Sequence, residues 1–264
     1  MNLEKLNCVV TGASSGIGRE VALSLAAKGC VVVGVARDKA KLDSLVLESK
    51  NLKGVIHGVA YDLRDFDGYG KLSDLIRSET NDIDLLINNA ALGCFMEFRN
   101  QSKEDMQKVL DTTLTAPILL TNICQPLMRN KDSAVVFISS LAGKMGFPNL
   151  SVYSAAKHGI EGFADAAAQE PGFKGKVFVF RPGVTETSFF ENSGMKAFEE
   201  EAKKGDLMKS SREVALEIIY ALEKDKRKYT VGSDRFLVPL LPFIPRQYRF
   251  TVLKYLNKIA RFFN

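Results

Sequence analysis

Six short apolar runs punctuate the chain: LNCVVT (6–11), CVVVGVA (30–36), GVIHGVA (54–60), IDLLIN (83–88), SAVVFIS (133–139) and KVFVFR (176–181). Each is rich in β-branched side chains and almost continuously apolar, the pattern of strands covered on both faces. Between them, segments near 16–28, 38–50, 65–79, 102–129 and 152–169 are amphipathic at helical spacing, and a last helix is expected near 211–224. Strand–helix–strand alternation requires right-handed crossovers. It therefore predicts an α/β fold, a doubly wound, Rossmann-like parallel sheet flanked by helices on both faces. No linker, internal repeat or low-complexity tract divides the chain, so a single domain is expected over 1–245, with a variable excursion at about 188–212.

The pattern changes near the C-terminus. Prolines at 239, 242 and 245 break any long helix. From 246 onward, Phe250, Leu253, Leu256, Ala260 and Phe263 recur at helical spacing, with Arg249, Lys254, Lys258 and Arg261 between them. The stretch 246–264 is thus expected to form a basic amphipathic helical tail. Packing against the domain, or against a second subunit of a homo-oligomer, is the favoured role. Peripheral contact with an anionic membrane surface is the alternative.

Composition narrows the function. Of 264 residues, 46% are hydrophobic and 25% charged, and a net charge of +5 arises from 36 basic and 31 acidic residues. That excess is too small and too mixed to argue for nucleic acid binding. His57 and His158 are far apart, and the cysteines at 8, 30, 94 and 124 form no C-x-x-C pair, so no metal site is expected. Scattered cysteines fit buried thiols in a reducing compartment. No run reaches the roughly 18–20 apolar residues of a membrane-spanning helix, and MNLEKLNCVVTGAS does not read as a signal peptide. The expectation is a cytoplasmic protein.

The first run leads directly into TGASSGIG (11–18), which opens a helix. Glycines at 12, 16 and 18 permit a tight turn whose backbone N–H groups approach a pyrophosphate at the helix N-terminus. Thr11, Ser14, Ser15 and Ile17 complete this candidate dinucleotide loop. The second run ends in Ala36 and Arg37. A basic residue there suits a ribose 2′-phosphate, and a guanidinium offers it a planar fork. Asp38 argues the other way unless it caps the following helix. NADP(H) is therefore favoured over NAD(H).

With these motifs the chain resembles the short-chain dehydrogenase/reductase family over roughly residues 5–232. TGASSGIG looks like its cofactor loop, Asp62 and Leu63 like its pair beside the adenine, and NNAA (88–91) like its N-N-A-G turn. The resemblance implies cofactor contacts from Asn89, Ala90 and Ala91. It also implies them from Pro182, Gly183, Val184, Thr185 and Thr187 of RPGVTET. Ser140 stands thirteen positions before Tyr153 and falls on the family's catalytic serine, while Tyr153 and Lys157 fall on its Y-x-x-x-K pair. The family's remaining catalytic position, an asparagine, is matched by Thr113, whose single hydroxyl cannot copy an amide's separate donor and acceptor. That asparagine helps to hold a water relaying protons to the lysine, and neighbouring Thr112 is a candidate to compensate.

The chemistry follows from the residue types. Tyr153 and Lys157, four apart, share a helix face. A tyrosine of pKa about 10 is a poor base at neutral pH, and a nearby lysine cation is expected to lower it. Tyr153 is then expected to act as general acid/base, Ser140 to polarise the substrate oxygen, and Lys157 to bind the nicotinamide ribose and tune Tyr153. The segments 92–98, 144–150 and 188–198 are rich in Phe and Met, and suit a small to medium apolar carbonyl or alcohol substrate. A cofactor-binding scaffold or redox sensor with weak catalysis is the alternative, motivated by Thr113 and Ala91.

Overall fold

The six apolar runs form the strands β1 (Asn7–Thr11), β2 (Val31–Ala36), β3 (Val55–Ala60), β4 (Leu85–Asn88), β5 (Ala134–Ile138) and β6 (Lys176–Pro182). The computed structural model describes residues 1–129, 132–187, 189, 193–194, 208–231 and 243–245. The tail 246–264 and most of the excursion 188–212 lie outside the described residues.

Further strands are β7 (Thr185–Glu186), β8 (Lys209–Ser210) and β9 (Lys228–Val231), the last completing a seven-stranded sheet of order β3-β2-β1-β4-β5-β6-β9. All of its pairings are parallel. Strand order therefore reverses between β1 and β4, opening a crevice beyond their carboxyl ends.

Side chains alternate across each strand, and this divides the core into two layers. Cys8 and Val10 of β1 face one side together with Val136 of β5 and Phe178 of β6. There they meet α1 (Gly16–Ala27), α2 (Lys39–Glu48) and α7 (Ser211–Glu223) through Leu25, Leu45 and Ile218. Val9, Val135, Phe137 and Val179 face the other side, against α3 (Tyr69–Glu79), α5 (Ala116–Cys124) and α6 (Ser151–Ala167) through Leu72, Leu120 and Ile160. Covering both faces explains the continuous apolar runs in the sequence. β3 departs from that expectation. It lies at one end of the sheet, with Val55, Gly58 and Ala60 exposed, because an edge strand is only partly covered.

The segment read as one helix over 102–129 is interrupted. α4 (Lys103–Leu110) passes through a π-helical turn, Asp111–Thr115, before α5 begins. A reason lies in the sequence: Pro117 has no N–H to give the Thr113 carbonyl, so a regular α-helical ladder cannot continue there.

Candidate active site

The loop after β1 makes its turn with Gly12 at φ +66° and Gly16 at φ +56°, in the left-handed region open to glycine. A side chain at Gly18 would place its Cβ 2.4 Å from the Gly12 carbonyl oxygen, so the helix can approach the strand only with glycine there. α1 begins at Gly16 with no acidic residue in its first turn, and the Ser15 side chain makes no capping bond to it. The amide end of the helix is thus presented to an anion, which fits the pyrophosphate of a dinucleotide. Ser14 and Ile17 are half-buried in the same loop.

Thr11 and Asn89 hold this region together. The Thr11 hydroxyl accepts from the amides of Asn89 and Ala90, each at 3.0 Å, and Asn89 Nδ2 donates to the Thr11 carbonyl at 2.9 Å. These polar groups shape the crevice between β1 and β4, with Ala91 following. Thr187 of the segment after β6 closes on the same loop, its Cγ2 3.0 Å from where a Gly16 Cβ would stand. Pro182 ends β6; Gly183 and Val184 follow, half-buried, and the buried Thr185 donates its hydroxyl to the Gly183 carbonyl at 3.0 Å.

At the end of β2, Arg37 is exposed and forms no ion pair among the described residues. Asp38 caps α2, accepting from the Lys41 amide at 3.0 Å, as its position before the helix suggests. Asp62 lies beyond β3 beside the buried Leu63. Sequence reasoning missed its partner: Arg64 grips both Asp62 oxygens, from Nε at 3.0 Å and Nη2 at 2.6 Å. Those bonds, with the nearby Arg37 charge, hold the Asp62 carboxyl below its ordinary range.

Ser140 follows β5, and Tyr153 and Lys157 occupy the first turns of α6. Ser140 Oγ accepts from the Ala142 amide at 3.2 Å and lies close enough to the Tyr153 phenol to lower its pKa, and Lys157 Nζ stands 5.7 Å from the tyrosine ring centroid. Lys157 donates to the carbonyl of Ile138 at 2.6 Å, pinning α6 to the end of β5. Here the electrostatics depart from expectation. Burial pushes the Tyr153 phenol well above its usual range, and the nearby Ser140 hydroxyl only partly offsets it. Burial also draws Lys157 down to about 7, with Glu161 opposing the shift. The lysine and the phenol are therefore both biased toward their neutral forms.

Thr113 sits in the π-helical turn and is 1% exposed. Its hydroxyl accepts from the Leu92 amide at 3.0 Å and donates to the Leu92 carbonyl at 2.9 Å. Its hydroxyl thus ties the helix interruption to the loop after β4.

An apolar shell surrounds Tyr153: Leu92, Phe95, Phe147, Leu150 and Phe189 belong to one cluster with it. The Phe189 ring lies 5.2 Å from that of Tyr153, and Gly93 makes room for it, since a Cβ there would fall 2.5 Å from Phe189 Cζ. All three segments expected to wall the substrate thus contribute. Among the described residues there is no group of His, Cys, Asp and Glu able to hold a metal, and no helix long and apolar enough to cross a membrane.

A parallel sheet with a glycine turn at its switch point, and a hydroxyl, phenol and amine gathered beside it, defines a nicotinamide-dinucleotide-dependent oxidoreductase. The family model described as short chain dehydrogenase matches residues 7–197. The 3-oxoacyl-[acyl-carrier-protein] reductase FabG of Thermotoga maritima is 29% identical over 236 residues, 88% of this chain and 96% of its own. Dehydrogenase/reductase SDR family member 7B of Xenopus laevis is 30% identical over 247 residues, 88% of this chain and 75% of its own. A short chain dehydrogenase/reductase from Burkholderia phymatum, solved in complex with NAD, superposes with TM-score 0.80 at 20% identity, covering 91% of this chain and 94% of that one. The chain belongs to the short-chain dehydrogenase/reductase family, and it is an oxidoreductase.

Replacing Thr113 by valine leaves the Leu92 amide and carbonyl without their hydroxyl partner. It should lower stability by about 1–3 kcal/mol, whereas Thr113→Ser should lose much less. Urea denaturation of the two variants checks this.

Proposed function

We propose that the protein uses NADPH to reduce the carbonyl of a small to medium apolar substrate. Tyr153 delivers the proton, Ser140 polarises the carbonyl, and Lys157 supplies positive charge. The bound nicotinamide supplies the hydride. The observation that carries this proposal is the placing of the Tyr153 phenol inside an apolar shell, with Lys157 Nζ 5.7 Å from the ring and held to the end of β5, the strand that Ser140 follows. As a reducing enzyme acts, negative charge grows on the substrate oxygen. In this reading the Ser140 hydroxyl stabilises that charge and the Tyr153 phenol then protonates it. The raised phenol pKa suits this direction, because Tyr153 stays protonated through the neutral range. Thr113 acts indirectly, by holding the π-helical turn in place. Several relatives are named as 3-oxoacyl reductases, which is consistent with a ketone as the reducible group.

For the cofactor, Arg37 faces solvent while the neighbouring Asp38 carboxylate is engaged in capping α2. That arrangement supports a basic site for a 2′-phosphate and hence NADP(H) over NAD(H). Gly12 to Gly18, Asp62 and Leu63, Asn89 to Ala91, and Pro182 to Thr187 form the rest of the proposed cofactor site, with Thr11 and Asn89 shaping it from within. A cytoplasmic location is consistent with all four cysteines being free thiols.

Tyr153→Phe should reduce turnover of a carbonyl panel at least a thousandfold, at the upper part of the usual general-acid range of about 10²–10⁴, while NADPH binding measured by fluorescence titration changes little. Full activity in that variant would remove the assignment. Arg37→Ala should raise KM for NADPH about 10–100-fold, corresponding to a charged hydrogen bond of about 1.5–3 kcal/mol, with NADH kinetics unaffected; an unchanged NADPH preference would exclude Arg37. Because Lys157 loses its proton as pH rises through about 7, kcat/KM for reduction should fall along an alkaline limb starting there. Initial rates between pH 5.5 and 9 locate that limb.

A further inference from the structure

Glu161 lies on α6 one turn beyond Lys157, buried at 5% exposure. Its carboxylate collects four donors. Oε1 accepts from Ser139 Oγ at 2.8 Å and Arg181 Nε at 2.7 Å. Oε2 accepts from Arg181 Nη2 at 2.8 Å and Lys144 Nζ at 2.6 Å. The fold makes room for this node, because a Cβ on Gly143 would stand 2.7 Å from Glu161 Oε1 and 2.5 Å from Ser139 Oγ. A buried carboxylate is costly unless it is paired and hydrogen-bonded, and this one is fully engaged.

The sources of the donors matter more than their number. Ser139 precedes Ser140 at the end of β5. Arg181 precedes Pro182 and Gly183 at the end of β6. Lys144 follows the turn Leu141–Gly143 that Ser140 caps. Every bond from Glu161 therefore joins the helix carrying Tyr153 and Lys157 to a segment adjoining another proposed site residue.

We infer that Glu161 is a positioning residue for the reduction: it locks the Tyr153–Lys157 face of α6 against the ends of β5 and β6, and it supplies the anion that balances the Lys157 ammonium. This rests on the proposed roles of Tyr153 and Lys157. The surroundings of Lys157 define the electrostatics. The Ile138 carbonyl accepts a hydrogen bond from its Nζ at 2.6 Å, and Tyr153 lies on its own helix with its ring centroid 5.7 Å from that Nζ. Glu161 is the anion acting on it, and Arg181 and Lys144 are the cations bound to Glu161. Burial lowers the lysine to about 7, and the Glu161 charge works against that. Burial also raises the Glu161 carboxyl, but Arg181 and Lys144 outweigh it and hold it below its ordinary value, so it stays ionised at neutral pH.

The signs yield a test that structural damage would not imitate. Removing the anion destabilises the Lys157 cation, so in Glu161→Gln the alkaline limb of NADPH-dependent kcat/KM moves down by about one pH unit. Turnover at pH 8 then falls about tenfold. Glu161→Asp, which restores the charge, should return the limb toward its wild-type position. Lys144→Met removes a neighbouring cation at a partly exposed site and should move the limb upward; it decides the matter if Glu161→Gln does not fold. A folded Glu161→Gln with an unmoved limb would overturn the inference, as would a downward shift in Lys144→Met. Activity in Tyr153→Phe would bring down the catalytic assignment and this inference with it. An inactive Tyr153→Phe beside an unmoved limb brings down Glu161 alone.

Discussion

The carbonyl of Ile138, at the last residue of β5, accepts a 2.6 Å hydrogen bond from the buried Lys157 ammonium. This bond ties the helix that carries Tyr153 to the strand that delivers Ser140. Both partners are fixed by their elements: the carbonyl is the last of a strand buried along its whole length, and the amine lies one turn beyond Tyr153. With that anchor in place, Tyr153 stands beside the Ser140 turn, and apolar side chains from three separate segments close around the phenol. Parallel topology supplies the setting, since the carboxyl ends of β1, β4, β5 and β6 all emerge on one side of the sheet.

The same burial creates the site's electrostatic tension. A dry environment disfavours charge on either group, pushing the phenol up and the amine down. Glu161 opposes part of this on the lysine, yet its own charge is buried and is held by Arg181, Lys144 and Ser139. The protonation of Lys157 thus depends in part on an ionic node two turns along the same helix from Tyr153. Breaking such a node is costly because the remaining partners keep their desolvation without their counter-charge.

Much of this was legible in the chain because it is local. The apolar runs coincide with strands to within a residue or two, since periodicity reports on faces covered by neighbours. Asp38 could be read as a helix cap, and the Tyr153–Lys157 pairing follows from the pitch of a helix. Thr113 shows where such reading stops. Its type suggested a weakened water site, but nothing local in the sequence indicated that its hydroxyl would also bond the backbone of Leu92, twenty-one residues earlier. Arg64 was visible two positions from Asp62, yet nothing in the spacing said that it would grip both carboxylate oxygens. Glu161 shares a face with Lys157, a signal that could have been used. Its partners at 139, 144 and 181 come together only through the sheet.

The sequence by itself therefore determined the six strands β1–β6 and the helices alternating with them, the glycine turn, and the two side chains spaced by one helical turn, while the seventh strand β9 was not among its apolar runs. These are set by interactions between residues close in the chain, where φ/ψ preferences, capping and amphipathic period act directly. Tertiary structure decided which strand became an edge, what Thr113 bonds to, and how strongly Tyr153 and Lys157 are driven toward their neutral forms. Those properties depend on burial and on charges brought together from distant segments, and neither exists until the sheet and both helical layers have assembled.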